Sequence, residues 1–171
     1  MWLGSESLNV LTIGVILLLM QCAIATSLSC SDVDETGHLE IPAGTTGVGE
    51  NQFNNCLTLK SVSIPDSVTR IEDRAFRKCT NLLSVLIPST VTHLGAGAFA
   101  DCVKLQSANI PEGITEIPGW LFQGCVMLKS IDIPNSVIYI RKSAFNDCRH
   151  LSSIFFPESV ITIEESAFED C

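Results

Sequence analysis

The chain has 171 residues, with 19 acidic against 10 basic side chains and a formal charge of −9. An acidic chain without a Lys/Arg run argues against binding to nucleic acid or to an anionic membrane surface. No internal segment reaches the ~18 consecutive apolar residues of a membrane span.

The first element is Val10 to Met20 (VLTIGVILLLM), an apolar run of the length of a signal-peptide core, with small residues following at Ala23 and Ala25. Residues 1–25 are therefore expected to be a signal peptide cleaved after Ala25. The leading MWLGSES lacks Lys and Arg, which leaves an uncleaved anchor as the other reading. Residues 26–40 are polar and carry Cys30; they read as an N-terminal cap or a loose tail. The first rung is expected to begin near Gly37.

From Ile41 onward one unit is written again and again. Ile-Pro or Phe-Pro recurs at Ile41, Ile64, Ile87, Ile110, Ile133 and Phe156, every 23 residues without insertion. Phenylalanine keeps the same step at Phe53, Phe76, Phe99, Phe122, Phe145 and Phe168. Cysteine does so at Cys56, Cys79, Cys102, Cys125, Cys148 and Cys171. A fixed period of this length is the signature of a stacked solenoid. Repeat one is degenerate, with AGTTGVGENQF in place of the usual SVTxIxxxAF, and the sixth stops at Cys171 before its Leu-x-x-Val segment.

Within a unit, Leu82, Val85 and Ile87 alternate as a half-buried strand does, and Pro88 ends it because proline cannot donate to a ladder. Val91 and Leu94 make a second, shorter extended segment on the opposite side of the coil. Gly95 to Cys102 (GAGAFADC) is predicted to form a tight helical or 3-10 turn, with Phe99 directed inward. The expected fold is an α/β repeat solenoid over residues 41–171, its Phe, Ile and Leu residues laddered from coil to coil.

The pattern IPxSVTxIxxxAFxxCxxLxSV resembles the BspA-like leucine-rich repeat family, with repeats two, three and five closest to it. The resemblance implies a curved or gently twisted solenoid with a parallel β-sheet along one face. It also implies a secreted or cell-surface protein whose activity is adhesion to other proteins, and it carries over no catalytic residues.

The six cysteines in register each lie three residues after a phenylalanine, so their spacing describes a packed position and not three pairs. They are expected to be reduced, buried thiols acting as small hydrophobes with a weak S–H donor. Cys30 stands apart, either paired within the cap or a free thiol with an outside partner. No Cys-x-x-Cys or Cys/His spacing of a zinc site is present, and no metal or cofactor is expected.

His38, His93 and His150 fall at different places in their repeats and read as solvent-facing substitutions. The acidic run Glu164, Glu165, Glu169 and Asp170 reads as a solvated edge. No glycine-rich phosphate loop appears, and the chain is expected not to be an enzyme. The informative positions are those that vary on the strand face, where residues between inward apolars project outward. One column is constant serine (Ser61, Ser84, Ser107, Ser130, Ser153), suited to a crowded strand. The columns beside it change from rung to rung, and they nominate Leu83, Leu86, Asn109, Lys129, Asp132 and Phe155 as partner-binding residues. Drift at unconstrained sites is the plain alternative. The expected function is non-catalytic binding of an extracellular or surface protein. The alternatives are self-association through an uncapped C-terminal rung and a fragment of a longer surface protein.

Overall fold

The computed structural model describes residues 28–171, so the expected signal segment lies outside the described residues. Ten short strands follow in chain order: β1 (His38–Glu40), β2 (Gly47–Val48), β3 (Ser61–Ser63), β4 (Arg70–Ile71), β5 (His93–Leu94), β6 (Glu116–Ile117), β7 (Ser130–Asp132), β8 (Tyr139–Ile140), β9 (Ser153–Phe155) and β10 (Thr162–Ile163). Every pairing is parallel and offset by one repeat, as in His38 with Ser61 and Ile117 with Ile140. One line of strands carries β1 with β3 and β7 with β9, and on the two rungs between them Ser84 and Ser107 form an isolated bridge with each other. The other carries β2, β4 and β5, then β6, β8 and β10.

Proline makes the corner between the two lines. It ends the first strand, and its carbonyl then accepts from the N–H three residues on, as Pro88 does from Val91 and Pro134 from Val137. The hydroxyl before that valine is spent on the coil beneath: Ser67 donates to the Thr45 carbonyl, Thr90 to Val68 and Ser136 to Ile114. These side-chain bonds explain the recurrent Ser or Thr at that position.

The interior holds the ladder. Phe53, Phe76, Phe99, Phe122 and Phe145 are fully buried. Consecutive rings from Phe53 to Phe168 lie 5.1–5.7 Å apart, centroid to centroid, with interplanar angles of 3–19°. That separation slightly exceeds the ~4.7–4.9 Å spacing of hydrogen-bonded strands, so the rings stack offset, the favoured geometry for aromatic pairs.

The turn that carries each phenylalanine is not helical, which corrects the expected helical or 3-10 turn and, with it, the α/β class. Among the described residues the coils are built of strands and turns alone. Two residues in the phenylalanine turn of each coil have positive φ, one two before the phenylalanine (Asn51, Arg74, Gly97, Trp120, Ser143, Ser166) and one two after it (Asn55, Lys78, Asp101, Gly124, Asp147, Asp170). Left-handed residues on both sides cannot propagate a right-handed helix. The N–H groups alternate instead. Phe99 donates across to Leu121 and Asp101 to Gln123, while Ala100 closes a turn onto Gly97 and Cys102 onto Phe99. Half of the turn's backbone bonds therefore run between coils. The single 3-10 element among the described residues is Cys30–Asp32, ahead of the first coil.

One junction of the second line is thinner than its others. Glu72, Gly95, Arg141 and Glu164 each donate a backbone N–H to the coil beneath at the end of the second strand. The corresponding residue in the fourth coil is Pro118, which has no N–H. Gly113 also replaces the hydroxyl residue there, and β5 and β6 do not pair.

Because each ring is covered by its neighbours, position along the stack sets the cost of removing one. Phe99→Ala is expected to lower unfolding free energy by ~3–5 kcal/mol through lost transfer energy and a cavity. Phe168→Ala, where the ring is only half-buried, should cost about 1–2 kcal/mol. Urea denaturation of the two variants checks the order.

Candidate interaction surface

The strand face presents three outward columns, and the structure places the nominated residues on it differently. Leu83 and Leu86 stand exposed on one rung, at 43% and 76%, and Phe155 is 82% exposed three rungs away. Three strand spacings put ~15 Å between Leu86 and Phe155. The intervening rungs carry Asn109 and Asp132, so the three apolar residues share a face without forming one continuous patch. Lys129 and Asp132 are exposed and lie beside Phe155's rung.

Asn109 behaves unlike the other five. Its Oδ1 accepts from the Ile87 N–H at 2.7 Å and its Nδ2 donates to the Ile87 carbonyl at 2.8 Å. The side chain thus substitutes for backbone pairing where the strand ladder has shrunk to the Ser84–Ser107 bridge. Its amide is occupied within the scaffold.

At the first rungs a hydrogen-bonded group escaped the sequence reading. His38 Nδ1 lies 2.8 Å from Ser61 Oγ, while Nε2 lies 3.1 Å from Ser63 Oγ and 3.3 Å from a Glu40 carboxylate oxygen. His38 stands one period before Ser61, so counting columns back would have brought them together. The grouping of Ser, His and Glu sits on the open strand surface, and the Ser61 N–H, a potential oxyanion donor, is spent on the Gly37 carbonyl. It ties two rungs together. The Glu40 carboxyl is held below its usual range, chiefly by the Ser63 hydroxyl and then by His38.

The other polar candidates are also absorbed by neighbouring coils. His150 Nδ1 is 2.8 Å from the Val126 carbonyl, and His93 Nε2 is 3.5 Å from Glu72. Arg141 bridges Glu116 at 2.6 Å and Glu164 at 2.9 Å, and Lys142 meets Glu165 at 2.8 Å. Hydrogen bonds from Arg141 and Lys142 lower the carboxyls of Glu164 and Glu165 respectively. Half of the acidic run is thus a paired ladder.

The cysteine column is built from the same inter-coil geometry. The thiols of Cys79, Cys102, Cys125 and Cys148 each donate at 3.2 Å to the carbonyl of the phenylalanine in the coil beneath, Phe53, Phe76, Phe99 and Phe122. Two positions correct the expectation of six reduced, buried thiols: Cys171 is reduced but exposed, and Cys56 is disulfide-bonded to Cys30, with Cα atoms 5.5 Å apart. The reason lies in the register. Cys30 precedes Phe53 by one period, so it occupies the place from which a phenylalanine carbonyl would accept, and it offers a sulfur instead. The 3-10 turn around Cys30 is fixed by a capping box between Ser29 and Asp32, and Leu28, Cys30 and Val33 pack on the core.

The buried column raises its own thiols. Burial, with the neighbouring Cys171 thiol, pushes Cys148 up to about 12. Cys125 is raised well above the ordinary value by burial and Cys148, and Cys102 by a hydrogen bond with Cys79 and by burial.

A parallel, one-coil-per-repeat solenoid with this ladder is a leucine-rich repeat protein. Six copies of the BspA type leucine rich repeat region match over residues 39–171, and the chain belongs to that family. Among solved structures it is similar to a leucine-rich repeat protein from Bacteroides ovatus, with 29% identity and a TM-score of 0.65 over 78% of this chain and 40% of that one. It is also similar to the leucine rich repeat protein of T. pallidum, with 27% identity and a TM-score of 0.69 over 71% and 57% of the two chains. A leucine rich cell surface protein from Faecalibacterium prausnitzii matches at 28% identity and TM-score 0.50, over 78% and 57%. The chain therefore spans 40–57% of the length of these three relatives. No curated protein matches it.

A thiol whose pKa is raised by folding stabilises the fold fully below its unfolded value and loses that contribution as pH climbs toward its folded value. For Cys148 the window runs from the ordinary 9.0 to about 12, worth about 1.4 kcal/mol by about pH 10. Replacing Cys102, Cys125 and Cys148 together by Ala should flatten the fall of melting temperature between neutral pH and about pH 10. An unchanged alkaline slope would mean that the column is not what titrates.

Proposed function

We propose that the chain is a non-catalytic protein-binding module, secreted or held at a cell surface, that engages an extracellular protein through its strand face. The observation carrying the reading is the exposure of Leu83, Leu86 and Phe155 on a face otherwise built of polar and charged side chains. Large apolar groups exposed on a rigid sheet and rimmed by Lys129 and Asp132 are suited to serve as binding hot spots. The Cys30–Cys56 disulfide supports an oxidising compartment. The likeness to a cell surface protein of Faecalibacterium prausnitzii supports the same location. In this reading residues 28–36 act as the cap of the first coil. Alanine at Leu83, Leu86 and Phe155 together should weaken capture of an extracellular protein partner at least about tenfold, since hot spots cost more than ~1 kcal/mol each. The melting temperature should be unchanged. Undiminished capture by a folded triple variant would move the site elsewhere.

A further inference from the structure

The turn side of the coil carries a second site, and we propose that it takes an acidic sugar, a saccharide ring bearing a carboxylate. A recess of about 260 Å³ opens there across three successive coils. Its floor is Ala96, Gly97 and Ala100; its walls are Arg74 and Arg77 on one side and Trp120 and Gln123 on the other. The recess exists because the middle coil has no bulk where its neighbours do. A β-carbon placed on Gly97 would lie 3.8 Å from Arg74 Cγ and 3.9 Å from Trp120 Cβ.

The backbone gives an independent sign that the walls are selected features. Arg74, Gly97 and Trp120 occupy the same left-handed position of consecutive coils, with φ of 54°, 61° and 60°. Elsewhere that position is held by Asn51, Ser143 and Ser166. Bulky side chains are disfavoured at such φ, and strain of this kind tends to persist where a site uses it. Here the two coils that accept it are the two that wall the recess.

The chemistry of the lining selects the ligand. Although the chain is acidic overall, Arg74, Arg77 and Lys78 gather on one turn. Asp101 faces Arg77 at 3.4 Å, and Asp73 is engaged by the Ala96 N–H at 2.8 Å. Among the described residues the Arg74 guanidinium makes no ion pair, so its planar fork is available for a carboxylate. Trp120, 44% exposed, offers a flat apolar wall for a ring lying against it, and Gln123, whose Nε2 also donates to Asn146 Oδ1 at 3.4 Å, offers its amide oxygen and its second N–H to hydroxyls. An extended peptide fits poorly. The backbone here has no free edge, since Arg74 donates to Ala96, Gly97 to Gly119 and Trp120 to Lys142, which removes strand addition as a binding mode. The volume suits one small ring more than a drug-sized ligand of ~300 Å³ or above.

The test uses residues that the same position already tolerates in other coils: Arg74→Asn, as at Asn51, and Trp120→Ser, as at Ser143. A hexuronic-acid disaccharide and its neutral counterpart are titrated against the full chain while the Trp120 indole N–H resonance is followed, assigned by its loss in Trp120→Ser. The acidic disaccharide should shift that resonance saturably, at least about tenfold more tightly than the neutral one, as one charge-assisted contact predicts. Arg74→Asn should abolish the difference without lowering the melting temperature. The proposal is overturned by an unmoved indole, by equal binding of the two sugars, or by Arg74→Asn binding as the parent does. Tighter binding of a Glu-rich tetrapeptide than of the acidic disaccharide would overturn it as well.

Discussion

The fold depends on coil-to-coil registry at an offset of one repeat. Strand bonds, half of the turn bonds, hydroxyl bonds, thiol bonds and the phenylalanine stack connect a residue to a counterpart 22 to 26 positions away. No coil has an interior of its own. Each supplies half of its neighbour's packing and part of its neighbour's hydrogen bonding, which is the physical content of a quasi-one-dimensional protein. An extra residue inside a coil would move every later column out of line at once. The 23-residue step is therefore held without exception from Ile41 to Cys171.

The same registry divides the surface into columns that can vary without disturbing the stack. On the strand face the column through Ser63, Leu86, Asn109, Asp132 and Phe155 changes size and charge at each rung. On the turn side the column through Asn51, Arg74, Gly97 and Trp120 does likewise. The two faces differ in what they present. A strand face offers a broad flat surface suited to protein, whereas a column with a missing side chain between two large ones makes a small concavity. One scaffold can thus hold two unlike sites with no shared residue.

Much of this was legible in the sequence, because periodicity reports registry directly. The phenylalanine and cysteine columns, the two extended segments and the proline corner all follow from residues spaced by one repeat. The turn reads wrongly as helical because the alanines of GAGAFADC favour a helix, although its two glycines disfavour one. The contrary signal was the residue before each cysteine, which is Asn55, Asp101, Gly124, Asp147 or Asp170 in five coils, and these types tolerate left-handed backbone. Cys30 and His38 were missed for another reason. They precede the first clear repeat, and only counting back by one period sets them against Cys56 and Ser61. The recess beside Trp120 was not legible, since it requires knowing that residues two before phenylalanine project outward from the turn.

The thinned junction between the third and fourth coils bears on both the stack and the recess. There Pro118 withholds a backbone donor and Gly113 withholds a hydroxyl, while the first strand line keeps the Ser84–Ser107 bridge and the two bonds of Asn109. The interior does not follow suit: Phe99 and Phe122 remain stacked at 5.7 Å, and Cys125 still reaches the Phe99 carbonyl at 3.2 Å. In a stack whose stability is a sum over neighbours, each bond missing from a junction lowers the cost of opening it. The recess spans this boundary, with its floor on the third coil and Trp120 on the fourth. A ligand gripping both sides would replace with its own contacts some of the bonds that proline and glycine remove. Binding there would stiffen the stack where the second strand line is interrupted.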